Sequence, residues 1–369
     1  VTQPAAIDRT PEVTAFAEHA VWSGVHSSET AAWLELRKEL TTASDVAAIM
    51  GEDPDRSALE VYVDKRTEYV PEKIPPWDPR AVGRVLEQPL LAEVAHYRGW
   101  QYRAGGYLLR SRRLPFLGAT LDAEVERGDG VWCDFEGKTT ELVGDWDEET
   151  GQMPKRVLIQ VQTQLLVTGA ELAIVFALLR RYRPVQIPIY PSPALHEVIA
   201  EYAEAFMERV RNLDPPQPDA SQSSRRALSR LYPAEDGAIV DLPPDAIEWT
   251  REYQEVTATL RELESKKRHL QSLLKASIGN ATFGLLPEPV GNKRCWRWQT
   301  QERERYEVEE TSSRVLLALK NPPQGARVGQ HAPTEANNPL QSALRASVEP
   351  ESTEPAAPIR FTRRKRSRR

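Results

Sequence analysis

The sequence predicts an α/β fold, a mixed central sheet flanked by helices, on three observations. Leu172 to Leu179 is a continuous apolar run of strand type, with Val185 to Tyr190 as its antiparallel neighbour. Residues Val131 to Lys138 alternate with period two behind Gly128-Asp129-Gly130, which supplies the positive φ of a tight hairpin, so the segment from Asp122 folds back beside them. Around these strands lie segments with 3.6-residue periodicity and cap residues at their ends.

Taken in order, residues 1–27 are polar with a Pro-containing start and read as a mobile arm, with one short helix around Val13 to His19. Ser28 to Arg37 reads as a capped helix, and Ser44 to Gly51 as a second with Ser44 near its N-cap and Gly51 at its stop. Residues 70–79 form a Pro-rich loop. From Val82, Leu86, Leu90, Val94 and Tyr97 make a buried stripe with Glu87 beside it, and Pro89 marks a kink or a helix that starts at Gln88. Strands follow at 106–110, 116–125 and 131–138. Arg156 to Thr168 is a helix stopped by Gly169, with Gln160 and Gln164 one turn apart, and a helix over 193–212 closes the first domain.

Residues 217–242, rich in Pro, Ser, Asp and Arg, read as a linker. Beyond them Trp249, Tyr253, Val256, Leu260, Leu263, Leu270 and Leu274 follow a 4-3-4-3 rhythm interrupted by Lys267, the mark of a long amphipathic helix that packs on the core or on another chain. Cys295-Trp-Arg-Trp298 belongs to a short hairpin, whose aromatics and Lys293, Arg294 and Arg297 either stack on bases or cover the helix. Helix and hairpin make an appendage over 243–321. Residues 322–369 form a disordered tail ending in a polycation, which either holds DNA or is simply solvated.

Composition narrows the function. The 369 residues, 40% hydrophobic, suffice for a real core, and a net charge of −6 leaves phosphate contacts to local clusters such as Arg110, Arg112 and Arg113. Two cysteines exclude a four-cysteine metal site and give no disulfide framework. There is no membrane span and no charged-then-apolar leader pattern, which makes a reducing cytoplasm the simplest compartment.

The chemistry concentrates between Asp122 and Lys138. On the strand, Val131, Cys133, Phe135 and Gly137 take one face, and Asp134, Glu136 and Lys138 the other; the hairpin brings Asp122 within reach of Glu136. Two carboxylates and a lysine at a sheet edge can bind a hard cation and activate a water for phosphodiester hydrolysis. A solvated face with a cross-strand ion pair accounts for the same spacing. Glu124, Glu126 and Asp134 are assigned to the strand surface. Glu87 is either an arginine's half-buried partner or aimed at the site. Arg37 with a helix N-terminus at Ser44 is either a phosphate cradle or plain capping.

These pieces, in this order, resemble the YqaJ-type viral recombinases, relatives of the phage lambda exonuclease in the PD-(D/E)xK nuclease superfamily. The resemblance rests on Trp33-Leu-Glu-Leu-Arg37 with Thr41 to Gly51, on Gly83-Arg-Val-Leu-Glu87-Gln-Pro89, on Asp122 with Glu136-Gly-Lys138-Thr, and on Gln160-Val-Gln162 with Leu166-Val-Thr-Gly169. It covers roughly residues 28–216, and implies a restriction-endonuclease-like core that degrades double-stranded DNA from its ends, 5′ to 3′, leaving 3′ overhangs. It further implies Mg²⁺, with Mn²⁺ as an alternative, held by Asp122, Glu136, the carbonyl of Gly137 and Glu87. Lys138 would act on the attacking water or the phosphate, Gln160 and Gln162 would orient the metal site or the strand, and Arg37, Ser44 and Thr42 would hold the 5′-phosphate. Its implied partners are a single-strand annealing protein and further copies of the chain in a ring-shaped trimer. A RecB- or Cas4-like repair nuclease, or a DNA-binding accessory protein on an inactive scaffold, is the alternative.

Overall fold

The computed structural model describes residues 14–27, 30–67, 74–141, 143–235, 237–301 and 327–328. The described residues divide into two compact units, one ending at Pro233 and the other starting at Ala234. The first contains the expected mixed sheet flanked by helices. Its five-stranded sheet has the order β3-β6-β7-β8-β9, with β3 Gln101–Ala104, β6 Ala123–Glu126, β7 Trp132–Thr140, β8 Ala173–Leu179 and β9 Arg183–Ile189. Only β7 and β8 run parallel, and helix α5 (Lys155–Thr168) makes the crossover between them.

The alternation of β7 sorts its side chains to opposite faces. Cys133 and Phe135 pack with Leu91 and Ala95 of α4 (Pro79–Arg98). Glu136 faces α5 instead, whose Val161 and Leu165 lie in the larger core. A four-stranded sheet, order β1-β4-β5-β2, lies beside α5; it comprises β1 Ala20–His26, β2 Thr41–Thr42, β4 Tyr107–Ser111 and β5 Leu117–Thr120. Helices α1 (Thr30–Lys38), α2 (Ala43–Ile49), α3 (Ala58–Arg66), α6 (Pro193–Asn212) and α7 (Gln222–Leu231) complete the unit.

Five expectations are corrected. The arm over 1–27 ends in β1, which pairs with β4, while Phe16 is buried in the core; Val21, Trp22 and Val25 give a local strand preference that the polar average of the segment hides. The run 116–125 is two strands in different sheets, parting at Leu121-Asp122, where Gly106 and Gly105 donate backbone hydrogen bonds to the two carbonyls (2.8 and 2.9 Å). Helix α4 starts at Pro79, capped by Asp78, and continues through Pro89; the carbonyl deprived of its donor belongs to Val85, on the exposed side. Its buried residues are Leu91 and Ala95, flanked by half-buried Leu90 and Val94, whereas Leu86 and Tyr97 are exposed.

The linker over 217–242 contains α7. Its serines cap and bury rather than solvate: Ser223 Oγ accepts from Ser57 N–H (2.7 Å), and Arg226 and Arg230 pair with Glu60 and Asp64 of α3. The assignment of Glu124, Glu126 and Asp134 to the strand surface fails, because all three are buried. Thr14 Oγ1 donates to Glu124 (2.9 Å) and Thr168 Oγ1 to Asp134 (3.0 Å), partners far away in sequence. Burial raises the Asp134 pKa well above the usual carboxylate range.

The second unit holds β10 (Ala238–Ile239), the 33-residue helix α8 (Ala246–Ile278), a hairpin of β11 (Phe283–Val290) and β12 (Lys293–Arg297), and β13 (Arg327–Val328), which pairs with β10. The polycationic end lies outside the described residues. Among the described residues no helix is long and apolar enough to cross a membrane.

Candidate active site

Asp122 sits at the joint where the chain leaves one sheet and enters the other. Its Oδ2 accepts from the N–H of Gly137 on β7 (2.9 Å), which fixes the carboxylate beside the strand carrying Glu136 and Lys138. Gln88 Nε2 donates to the Asp122 carbonyl (2.6 Å), and Tyr102 Oη donates to Gln88 Oε1 (2.6 Å), so α4 is tied to the same joint. Glu87, the preceding residue, lines the same cleft as Asp122. A Cβ on Gly137 would stand 3.0 Å from Leu91 Cδ2, so that Leu91 would have to give by a few tenths of an ångström.

Glu136 is buried, and its carboxylate accepts from three donors. Lys138 Nζ and Gln160 Nε2 (2.5 Å) meet Oε1, and Gln164 Nε2 meets Oε2 (2.6 Å). Gln160 and Gln164 reach it together because an i, i+4 spacing stacks two side chains on one helix face. Gln162, two positions on, is turned about 200° away by the 3.6-residue period. It donates to the Tyr190 carbonyl (2.8 Å) and accepts from Ser192 N–H (2.9 Å), tying α5 to the turn before α6. The expected place of Gln162 in the site is therefore corrected, and Gln164 takes it.

Burial, then the charge of Glu136, raises the pKa values of Glu87 and Asp122, the latter well above the carboxylate range. Burial works against the Lys138 ammonium, but Glu136 and then Asp122 hold its pKa above the ordinary lysine value. Carboxylates crowded until they favour protons are a donor set that a hard divalent cation relieves, and the oxygen-only chemistry fits one. Among the described residues no three His, Cys, Asp or Glu side chains form a ready-made cage. The oxygens of Glu136 point at the lysine and two amides, so coordination by Glu136 requires one of those donors to yield.

The second predicted group also converges. Arg37 Nη2 donates to Thr42 Oγ1 (2.8 Å) and Ser44 Oγ (2.8 Å), and its guanidinium lies 4.4 Å from the Trp33 ring centroid. Helix α2 starts one residue earlier than expected, with Thr42 as N-cap; Asp45 accepts from Thr42 N–H (3.1 Å).

Asp45 was not anticipated as a site residue, nor were Arg56 and Lys65. Its buried carboxylate takes Lys65 Nζ (2.6 Å), Arg56 Nη1 (2.6 Å) and Arg37 Nη2 (3.4 Å). Burial raises its pKa, but the three cations, Lys65 foremost, overcome this and hold it well below the usual range. Burial brings Lys65 down to about 8. The acid at the third helical position is visible in the sequence, while the arrival of Lys65 from α3 is not.

The two groups share one cleft of about 570 Å³, lined by Arg37, Thr42 and Ser44 on one side and Glu87, Asp122 and Gln160 on the other. A neighbouring cleft of about 590 Å³ also reaches Ser44 and Gln160 and continues past Lys138 to Lys155 and Arg156.

Residues 32–171 match the family model described as the YqaJ-like viral recombinase domain. The chain is similar to a Bacillus subtilis (strain 168) protein described as uncharacterized protein YqaJ, with 25% identity over 272 residues, 72% of this chain and 82% of that one. Solved structures similar to it include the alkaline exonuclease LHK-Exo from Laribacter hongkongensis (20% identity, TM-score 0.38) and LHK-Exo in complex with dAMP (19% identity, TM-score 0.38), each covering 55% of this chain and 99% of the other.

Proposed function

We propose, from the premise that residues 32–171 are a YqaJ-like viral recombinase domain, that this chain is a metal-dependent exonuclease that degrades double-stranded DNA from 5′ ends and leaves 3′ overhangs. The observation that carries this reading is the shared cleft. It sets a cationic, hydroxyl-bearing pocket at Arg37, Thr42 and Ser44 against the carboxylates of Glu87 and Asp122.

In this reading Asp122, Glu136, Glu87 and the carbonyl of Gly137 hold the cation, Mg²⁺ or alternatively Mn²⁺. When bound it supplies a Lewis acid that neutralises phosphate charge and acidifies water. Lys138 sets its ammonium against the attacking water and the phosphate, oriented by Glu136. Gln160 and Gln164 hold the Glu136 carboxylate in place. Arg37, Thr42 and Ser44 bind the terminal 5′-phosphate, the fork of a guanidinium being suited to phosphate oxygens. The partners are DNA ends, a single-strand annealing protein for the exposed 3′ strand, and further copies of the chain in a trimeric ring, in a cytoplasmic setting.

The test uses the full chain, Mg²⁺, and duplexes that differ only in 5′ phosphorylation. Faster loss of the phosphorylated strand, with 3′ overhangs as product, is expected, and Arg37→Ala removes the preference. Equal rates at both ends overturn the directional reading. Absence of metal-dependent digestion from any end overturns the nuclease itself.

A further inference from the structure

Strands β8 and β9 are joined by a short tip, Arg180-Arg181-Tyr182, closed where Arg183 pairs with Leu179. It contains none of the glycine, asparagine or aspartate that hairpin turns favour. Two of its residues nevertheless take the left-handed backbone that favours glycine, Arg181 at φ 62° and Tyr182 at φ 59°. Packing does not offset this strain, because Tyr182 is 86% exposed and Arg181 and Arg183 are exposed as well. A glycine would close the turn at lower cost. Strain of this kind collects where a side chain is needed for binding.

The charge of the tip is also unbalanced. Arg180 reaches Glu141 at 3.6 Å, with both side chains largely in solvent, and among the described residues Arg181 and Arg183 have no ion-pair partner. Three guanidiniums thus stand against one carboxylate, in a chain whose net charge is −6. The parallel register places the tip at the active-site end of the sheet. Lys138 of β7 lies opposite Ala177 and Thr140 opposite Leu179, so the tip begins about 7 Å beyond the level of Lys138. Lys138, Thr139 and Thr140 line the cleft of about 590 Å³, and the β7 wall of that cleft therefore ends beside the tip.

We propose that the β8–β9 tip binds single-stranded DNA: Tyr182 stacks on a base, and Arg181 and Arg183 on either side of it meet the flanking phosphates. Along a duplex each base face is covered by its neighbours, whereas an unpaired strand leaves the faces free to stack on an aromatic ring. Guanidiniums flanking that ring supply the anion contacts that hold the backbone. The source of the strand rests on the nuclease reading, since digestion from a 5′ end bares the complementary strand beside the cleft.

The experiment is fluorescence anisotropy of a labelled oligo-dT strand and of a labelled blunt duplex, each titrated with the full chain in EDTA so that nothing is digested. Tyr182→Ala is expected to weaken single-strand binding roughly 5- to 150-fold, the loss of one stacked base, with duplex affinity and the salt dependence unchanged. Tyr182→Phe keeps the affinity. Arg181→Gln with Arg183→Gln lowers the slope of log K against log salt by about 1.4, at about 0.7 for each phosphate contact. Tyr182→Gly binds as weakly as Tyr182→Ala but melts no lower than the parent, because the turn is relieved. Unchanged single-strand affinity in Tyr182→Ala overturns the proposal, as does an equal loss for strand and duplex. A lower Tm in Tyr182→Gly means that the tyrosine serves the fold, and a changed mass by light scattering means that the tip joins copies of the chain; either result overturns it too. The binding readout needs no catalysis, so the two readings fail separately. Tyr182-dependent binding without metal-dependent digestion overturns the nuclease and keeps the tip, whereas digestion with binding indifferent to Tyr182 does the reverse.

Discussion

Asp45→Asn tests whether the cationic pocket is held together by one buried charge. The substitution keeps the shape but removes the acid that contacts Arg37, Arg56 and Lys65 together. Asp45 is fully buried and the three cations are largely so, hence solvent does little to compensate. Removing one partner of a buried ionic cluster costs about 3–5 kcal/mol. For a unit of this size that corresponds to a Tm lower by about 6–20 °C. The folded-state pKa of Asp45 lies below its unfolded value, so its contribution is complete above about pH 4 and is lost as pH falls through the folded value. Thermal unfolding followed by circular dichroism should therefore show a wide gap between the two proteins at pH 7 and a narrower one near pH 3. A loss below about 1 kcal/mol at pH 7, or a gap that persists in acid, would refute the reasoning.

Lys138→Ala should lower metal-dependent digestion by about 10²- to 10⁴-fold, measured below the variant's own Tm because the buried Glu136 carboxylate loses its cation; unchanged digestion removes Lys138 from the chemistry. Gln164→Leu should reduce the rate by removing a donor that holds the Glu136 carboxylate in place, whereas Gln162→Leu should leave the rate alone and lower stability by about 1–3 kcal/mol, read by urea unfolding, through the unpaired Ser192 N–H and Tyr190 carbonyl. Gly137→Ala forces a methyl group against Leu91 and should cost about 1–3 kcal/mol in the same measurement.

What could be read from the sequence is what local geometry decides. The faces of β7 follow from a period of two, and Glu136 and Lys138 appear on one side of it as that period requires. Helix α5 shows how the same logic can be misapplied. Gln160 and Gln162 look like a pair in the sequence, but helical rotation separates them and joins Gln160 to Gln164. The rest depends on contacts between distant segments. Glu124 and Asp134 read as surface acids because the threonines that bury them come from residue 14 and from the end of α5. Nothing in the sequence singles out Lys65 before α3 packs beside α2 and aims it at Asp45. The serines of α7 look like linker composition, and become structural only against Ser57 and Glu60.

The joint at Leu121-Asp122 offers a way to watch the site without following any reaction. Gly105 and Gly106 press against it so closely that a Cβ on Gly105 would fall 2.0 Å from the Leu121 carbonyl oxygen, and their amides are bonded to the two joint carbonyls. Opening of the joint has to release both amides together. Their hydrogen-exchange rates therefore report the free energy of local opening at Asp122, separately from global unfolding. A ligand that settles between Glu87 and Asp122 should slow both amides by the same factor, which makes this glycine pair a built-in gauge of occupancy.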